Sequence, residues 1–321
     1  MITLEQLERA HPALKGFADR YRAEVVPVLL KHQSRLKSGG ELVTLGVILG
    51  IPGFLLFRGE DVVPLWVRAI GFLMFVVGVG FTIWGAREMS ASRAAAKTIL
   101  VKRVCKLLGF TYHWYPKKTY TRWLHTIGLL PDHETYHAED EVSGTVDGIG
   151  FIFQEVELKA YVIRPGYKGI PERRLETIFQ GLIGMIDFHK RFSSTTVAVP
   201  NQGFWDKVAG PKLPGQRARL ESPRFEERYD VFTTDQVEAR YLLTPAFLER
   251  LMKLDAFFKG NMEFAFDNGR FLFAAKHQYD WMELREDENI ASEQSVAMII
   301  LDMTLIYHLI DALKLDAKTK A

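Results

Sequence analysis

LVTLGVILGIPGFLLF, residues 42–57, is an uncharged run of 16 residues bounded by Glu41 and Arg58. A second run, AIGFLMFVVGVGFTIWGA, residues 69–86, is uncharged over 18 and bounded by Arg68 and Arg87. Neither shows the polar stripe that a helix in a water-soluble core normally turns to solvent. Glycines at 46, 50, 53, 71, 78, 80 and 85, with Trp66 and Trp84 near the ends, are the composition of helices that pack in lipid. The first run falls short of the roughly 20 residues of a usual span, but Gly39 and Gly40 extend it and its ends can snorkel. The pair predicts a transmembrane helical hairpin; two buried helices of a soluble core are the alternative.

The flanking cations give the orientation. Arg22, Lys31, Arg35 and Lys37 precede the first run, and Arg87, Arg93, Lys97, Lys102, Arg103 and Lys106 follow the second. The connection holds only Arg58 and Arg68, beside Glu60 and Asp61. The positive-inside rule then places both termini in the cytoplasm. The opening, MITLEQLERAHPALKGFADRYRAEVV, has acidic residues and no early apolar run, so it does not read as a secretory signal.

The basic stretch from Arg87 to Lys106 shows Ala96, Ile99, Leu100, Val104 and, just after it, Leu107 at helical spacing, which predicts that the second span continues as a helix beyond the bilayer. It could pair as a stalk with the amphipathic segment from Leu4 to Leu36. Its cations could touch anionic head groups, at about 1 kcal/mol each, or simply form a solvated face. The division expected is an amphipathic cytoplasmic helix over 1–40, the hairpin over 41–86, a basic juxtamembrane helix over 87–110, and a cytoplasmic α+β domain, mainly antiparallel, over 111–321. At 321 residues and 48% hydrophobic content the chain can bury a large core. A net charge of +2 argues against a global electrostatic attraction to nucleic acid. The single cysteine, Cys105, excludes an internal disulfide and reads as a small core residue.

In VSGTVDGIGFIF the turn Asp147–Gly148 sets Val146 opposite Ile149 and Val142 opposite Phe153. In MEFAFDNGRFLFAA the turn Asn268–Gly269 pairs Asp267 with Arg270, Phe266 with Phe271 and Phe264 with Phe273. The phenylalanine face reads as packing against a helix, or as a ligand groove. IFQGLIGMIDF and TTVAVP are further apolar runs, and a loop rich in glycine, proline and charge spans 200–223. A strand from Tyr229, a cap at Thr234 or Asp235, and a helix opening with Pro245 after Thr244 follow. The last helix has a stripe at Val296, Ile299, Met303, Ile306, Ile310 and Leu313; Asp302 and His308 make it a poor span and a good cover for the sheet.

HETYH, residues 133–137, is spelled like a zinc-peptidase motif, with His133 and His137 as ligands and Glu134 as general base. That chemistry needs both histidines on one face of a stable helix and a third ligand. Pro131 just before and the first hairpin just after leave little room for such a helix, and His113, His125, His189, His277 and His308 supply no distinctive spacing. Lys117, Lys118 and Arg122 interleave with Tyr112, Trp114, Tyr115, Tyr120 and Trp123, which suits an interfacial anchor or a strand covering the domain better than a nucleic-acid face. Asp235, Glu238 and Arg240 could form a polar site, though capping and ion pairing are the commoner use of such residues.

EDEVSGTVDGIGFIFQEVEL, FQGLIGMIDFHKRFSSTTVAVP and above all RYDVFTTDQVEARYLLTPAFLERL resemble the bacterial membrane-protein family called domain of unknown function 3137. The resemblance extends over nearly the whole chain. It implies a multi-pass protein of the bacterial inner membrane with a cytoplasmic domain, and a LemA-type membrane protein as a candidate partner; it carries no functional residues. The expectation is a membrane-anchored adaptor, leaning away from an enzyme, with the lipid bilayer, another membrane protein or a second copy as partners. No cofactor, metal or nucleic acid is expected. A zinc hydrolase using HETYH and a lipid or small-ligand binding domain are the alternatives.

Overall fold

The computed structural model describes residues 3–10, 14–59, 63–116, 119–166, 170–201, 213–277, 281–284 and 289–314. The chain divides into two compact units, residues 1–108 with 282–300, and residues 109–281 with 301–321.

In the first unit α1 (Leu4–Ala10) and α2 (Phe17–Arg20) precede one π-helical turn, Tyr21–Val25, which runs directly into α3 (Val26–Phe57). The stretch 1–40 is therefore not one amphipathic helix. Gly16, at φ 74°, restarts the chain before Phe17, and from there the helix continues into the apolar run. Pro27 explains the wide turn, since it lacks an N–H and its ring crowds the carbonyl four residues back. The second helix, α4 (Leu65–Leu108), is continuous over 44 residues, so the second apolar run does extend through the basic stretch.

Glycines seven residues apart on each helix meet in pairs. An added Cβ at Gly39 would lie 2.9 Å from the Gly85 carbonyl oxygen, one at Gly46 2.5 Å from that of Gly78, and one at Gly53 2.7 Å from that of Gly71. Seven residues are two helical turns, so the three glycines of each helix share one side and the backbones touch along an antiparallel seam. Gly40 and Gly80 face open space. The bulky residues point outward: Ile48, Ile51, Leu55, Leu73, Ile83 and Trp84 are all exposed.

At the other end of this unit the segment 282–300 is tied to the helices. The Tyr21 hydroxyl lies 3.2 Å from the carbonyl oxygens of Ala291 and Ser292. Arg22 bridges Glu5 and Glu293, the latter at 2.7 Å. Lys97, buried, pairs with Glu283, and Arg103 reaches Glu24 at 3.3 Å, so the N-terminal helices do pair with the juxtamembrane stretch.

The second unit holds, in order, β1 (Thr111–His113), α5 (Thr119–Thr126), β2 (Thr135–Val146), β3 (Ile149–Pro165), β4 (Pro171–Asp187), β5 (Thr196–Pro200), β6 (Gln216–Ala218), α6 (Pro223–Glu226), β7 (Tyr229–Thr233), α7 (Gln236–Leu242), α8 (Pro245–Phe257), β8 (Met262–Asp267) and β9 (Arg270–Lys276); α9 (Glu293–Lys314) contributes residues to both units. Among the described residues the strands form one antiparallel nine-stranded sheet in the order β1-β2-β3-β4-β9-β8-β5-β7-β6. The fold is α+β, as the sequence predicts, and this order leaves β1 and β6 as edges of an open sheet.

Both hairpin registers hold, Val142 opposite Phe153 and Phe264 opposite Phe273. The turn residues take the left-handed conformation that a two-residue hairpin turn requires, with φ 49° and 81° at Asp147 and Gly148 and 48° and 74° at Asn268 and Gly269. Phe264, Phe266, Phe271 and Phe273 are fully buried and meet α8, with Phe247 5.9 Å from Phe266 and Phe258 6.1 Å from Phe273. Gly184 of β4 lies between Phe153 and Phe273 in register, and its missing side chain lets the two rings meet edge to face at 5.2 Å. The opposite face is covered by Leu124 of α5 with Leu129 and Leu130, over Val156, Leu158 and Leu272. On α9 the whole predicted stripe from Val296 to Leu313 is buried.

β3 and β4 continue past their neighbours as a two-stranded ribbon. β2 leaves β3 at Lys159 and β9 joins β4 only from Gly181, while the β3–β4 ladder runs on to Pro165 opposite Pro171. Tyr161, Ile163, Ile170 and Leu175 are exposed on it. Arg164 pairs with Glu176 and Arg174 with Glu172, each at 2.7 Å, and Arg173 stacks on Tyr161 at 4.0 Å.

Among the described residues three helices are long and apolar enough to cross a membrane: Phe17–Phe57, Leu65–Leu108 and Glu293–Leu313. They differ in what surrounds them, since 61% of the most apolar window of the third is buried inside the protein and 17% of that of each of the first two.

Candidate functional site

HETYH does not form the helix that the zinc reading requires. His133 lies in a loop, Glu134 in a bend, and Thr135 to His137 open β2. Pro131 ends any preceding helix, and the Glu134 N–H already donates to the Lys159 carbonyl at 2.8 Å, starting the ladder with β3. Four extended residues span roughly 13 Å, against about 6 Å for one helical turn, so the two imidazoles are not presented side by side. His133 sits with Nδ1 3.0 Å from the Pro131 carbonyl oxygen and its ring 5.8 Å from that of His125, which holds Asp132 at 2.7 Å. Glu134 faces Arg173 at 3.6 Å, and His137 is exposed. Among the described residues no three histidine, cysteine or acidic side chains converge as a metal site.

The remaining polar candidates serve the fold. Asp235 caps α7, accepting from the N–H groups of Val237 at 2.7 Å and Glu238 at 3.0 Å. Glu238 accepts from the backbone of Ser194 at 2.7 Å and of Ser193 at 3.1 Å, and the Ser194 side chain first, then these bonds, hold its carboxyl below the usual range. Arg240 is exposed on α7. Of the basic-aromatic stretch, Lys117 and Lys118 lie outside the described residues; Tyr120 and Trp123 pack on the sheet core, with the Trp123 indole donating to Asp267 at 2.8 Å. Cys105 is buried. In the loop 200–223, residues 202–212 lie outside the described residues.

A cavity of ≈ 790 Å³ opens on the phenylalanine face of the second unit. The end of α8 and its left-handed turn supply Phe257, Phe258 and Lys259, at φ 55°. The strands supply Leu182 and Lys276, the chain after β9 supplies His277 and Trp281, and α9 supplies Leu301, Asp302, Leu305 and His308 among others.

Each of these is positioned by neighbours in the sheet unit. Arg228 binds the carboxyl of Asp255 at 3.0 Å and the Gly260 carbonyl, and Asp255 accepts from the Met262 N–H at 3.3 Å, which fixes the turn carrying Lys259. The His277 N–H donates to the Gln180 carbonyl at 3.1 Å, and the Trp281 N–H to the buried Glu155 carboxylate at 2.9 Å. Lys276 is half-buried with its ammonium 3.4 Å from the Ile178 carbonyl; burial pulls its pKa down and Glu263 opposes this. The Trp281 indole nitrogen is buried without a hydrogen-bond partner among the described residues.

Sequence reasoning placed a ligand groove beside the phenylalanine ladder only as a general alternative and named none of these residues. The available signal was the placing of Lys259, Lys276 and His277 at the ends of the elements that flank FAFDNGRFLFAA.

The model of the family described as "Protein of unknown function (DUF3137)" matches residues 177–315. That match starts within β4, so the hydrophobic pair and the first hairpin lie outside it, a narrower extent than the resemblance in sequence suggested. No curated protein matches the chain. Among solved structures, the crystal structure of the mycobacterial trehalose monomycolate transport factor A, TtfA, has a TM-score of 0.38 at 10% identity, covering 69% of this chain and 96% of that one. From β4 through α9, therefore, the chain matches the model of the DUF3137 family of domains of unknown function, which supports the resemblance read from the sequence.

Proposed function

We propose that the protein is a membrane-anchored adaptor of the bacterial inner membrane, with both termini and the sheet unit on the cytoplasmic side. The observation that carries the anchor is the hairpin's inverted packing, glycine within and leucine, isoleucine and phenylalanine without. Such an exterior is stable in hydrocarbon and costly in water. The cation distribution supports the orientation: ten lysines and arginines between Arg22 and Lys37 and between Arg87 and Lys106, against Arg58 and Arg68 in the connection.

The adaptor role is supported by the β3–β4 ribbon, which presents Tyr161, Ile163, Ile170 and Leu175 to solvent beside paired charges, the mixed surface through which transient partners dock. The partner would be another protein of the same membrane; the family resemblance suggests a LemA-type protein.

The test is crosslinking and affinity capture from detergent extracts of cells making the full chain. A reproducible partner, or a second copy, is expected, and its capture falls when Ile163 and Ile170 are both replaced by aspartate. Recovery of neither overturns the adaptor reading. Release of the full chain from membranes by alkaline carbonate overturns the anchor.

A further inference from the structure

The cavity between the end of α8, the end of β9 and α9 is built from two kinds of surface. Its buried wall is apolar, with Phe258, Trp281 and Leu305 each less than a tenth exposed and Leu182 fully buried behind them. Its exposed members, Phe257, Lys259, Asn261 and His308, mark the mouth. Of the charged side chains lining it, Lys259 and Lys276 face one acid, Asp302, and two imidazoles, His277 and His308, can add donors. A volume of ≈ 790 Å³ lies within the range of roughly 300–1,000 Å³ that single small ligands occupy.

An apolar interior with cationic groups around its opening is complementary to one kind of molecule, a chain with a negative head. We propose that this cavity binds an anionic amphiphile, its single hydrocarbon chain against Leu182, Phe258, Trp281 and Leu305 and its carboxylate or phosphate at Lys259 and His308. Two further features support this. The Lys276 ammonium lines the cavity half-buried, where burial lowers its pKa against the pull of Glu263, and an anionic head in the cavity would favour its charged form further. The second is the lining itself, which sets the apolar residues in the buried wall and the cation at the exposed rim. The proposal stands apart from the membrane anchor, because every residue in it belongs to the sheet unit.

The experiment uses the full chain in phosphatidylcholine nanodiscs, photolabelled with diazirine-bearing palmitate, diazirine-bearing lysophosphatidate or diazirine-bearing palmityl alcohol, and maps the labelled peptides by mass spectrometry. At least one of the two acids is expected to label peptides covering 257–261 and 301–308 about fivefold or more above the alcohol. Comparing the two acids tells a carboxylate head from a phosphate head, and competition by inorganic phosphate tests whether the head alone suffices. Lys259→Glu, an exposed substitution that leaves the core untouched, should bring labelling down to the level of the alcohol. Leu301→Trp, which fills the space, should reduce labelling by all three.

Equal labelling by acid and alcohol overturns the proposal, as does labelling unchanged by Lys259→Glu or confined to peptides from 42–57 and 69–86. Chain release by carbonate would refute the anchor while leaving the cavity labelling intact, so the two readings fail separately.

Discussion

Where the two helices of the hairpin touch, the residues are glycines, and the leucines, isoleucines and phenylalanines face outward; where the sheet meets α8, the residues are phenylalanines, and charges face outward. Each unit buries what its surroundings do not favour. In water, association is driven by removing apolar area from solvent, so bulk belongs inside. Between helices in lipid that force is absent, and close backbone approach with dispersion contacts takes its place, so bulk is of no advantage at the seam. Glycine serves both units, but in the sheet, as at Gly184 and Gly144, it admits neighbouring rings and not a facing glycine.

The most severe way to break this comparison is Gly78→Leu. A Cβ there lies 2.6 Å from the Gly46 carbonyl oxygen and 2.5 Å from the Gly50 nitrogen, backbone atoms that cannot swing aside. We expect a loss of about 3 kcal/mol of hairpin stability, read as a fall in the detergent-solubilised melting temperature. Gly80→Leu, with nothing within 4 Å, is the control and should leave that temperature unchanged. Equal effects of the two would remove the seam from the account.

Gly184→Val asks the same of the sheet. Its Cβ would meet the Phe273 ring at 2.2 Å and the Phe153 ring at 2.7 Å, but rings can shift where backbones cannot. About 2 kcal/mol is expected in urea unfolding of the sheet unit within the full chain.

The hairpins were legible in the sequence because two adjacent residues able to take positive φ fix a register without long-range information; Asp147–Gly148 and Asn268–Gly269 are such pairs. The stripe on α9 was legible because each of its members repeats at helical spacing. The glycine seam was present but read as composition. Its meaning lies in the match of two heptads running in opposite directions, Gly39 with Gly85 through Gly53 with Gly71, which neither run shows alone. HETYH could be read as a poor helix from Pro131 before it and the hairpin after it; what the five residues do not reveal is that the ladder with β3 takes up Thr135 to His137. The cavity was not legible: Leu182, Lys259, Trp281 and His308 come together only through the sheet order β4-β9-β8 and the placement of α9.

A smaller effect separates the units by their helix ends. Helix α7 stops in water and needs its cap, so Asp235→Ala should cost about 1 kcal/mol and Asp235→Asn much less, by the same urea measurement. The smallest expected effect concerns a carboxyl buried in the sheet unit. Glu141, opposite His113 on the β1–β2 ladder, has its carboxyl pKa raised by burial, with His113 pulling the other way. A raised value means that the fold favours the neutral acid. That contribution is complete below the ordinary value of 4.5 and is lost as pH rises through the folded-state value. Glu141→Gln should therefore melt higher than the parent at neutral pH, with the difference closing as pH falls towards 4.5. A difference that does not vary with pH would show that the carboxylate is not the cause.

Among the described residues no further strand pairs with the outer margins of the β3–β4 ribbon, from Ala160 to Pro165 and from Pro171 to Thr177. Bare margins of that length are templates on which identical chains stack into insoluble arrays. Arg164, Glu172, Arg173, Arg174 and Glu176 stand along them, and a strand added there would have to desolvate these charges, which resists such stacking. Neutralising those five side chains would turn a sociable arm into a seed for precipitation.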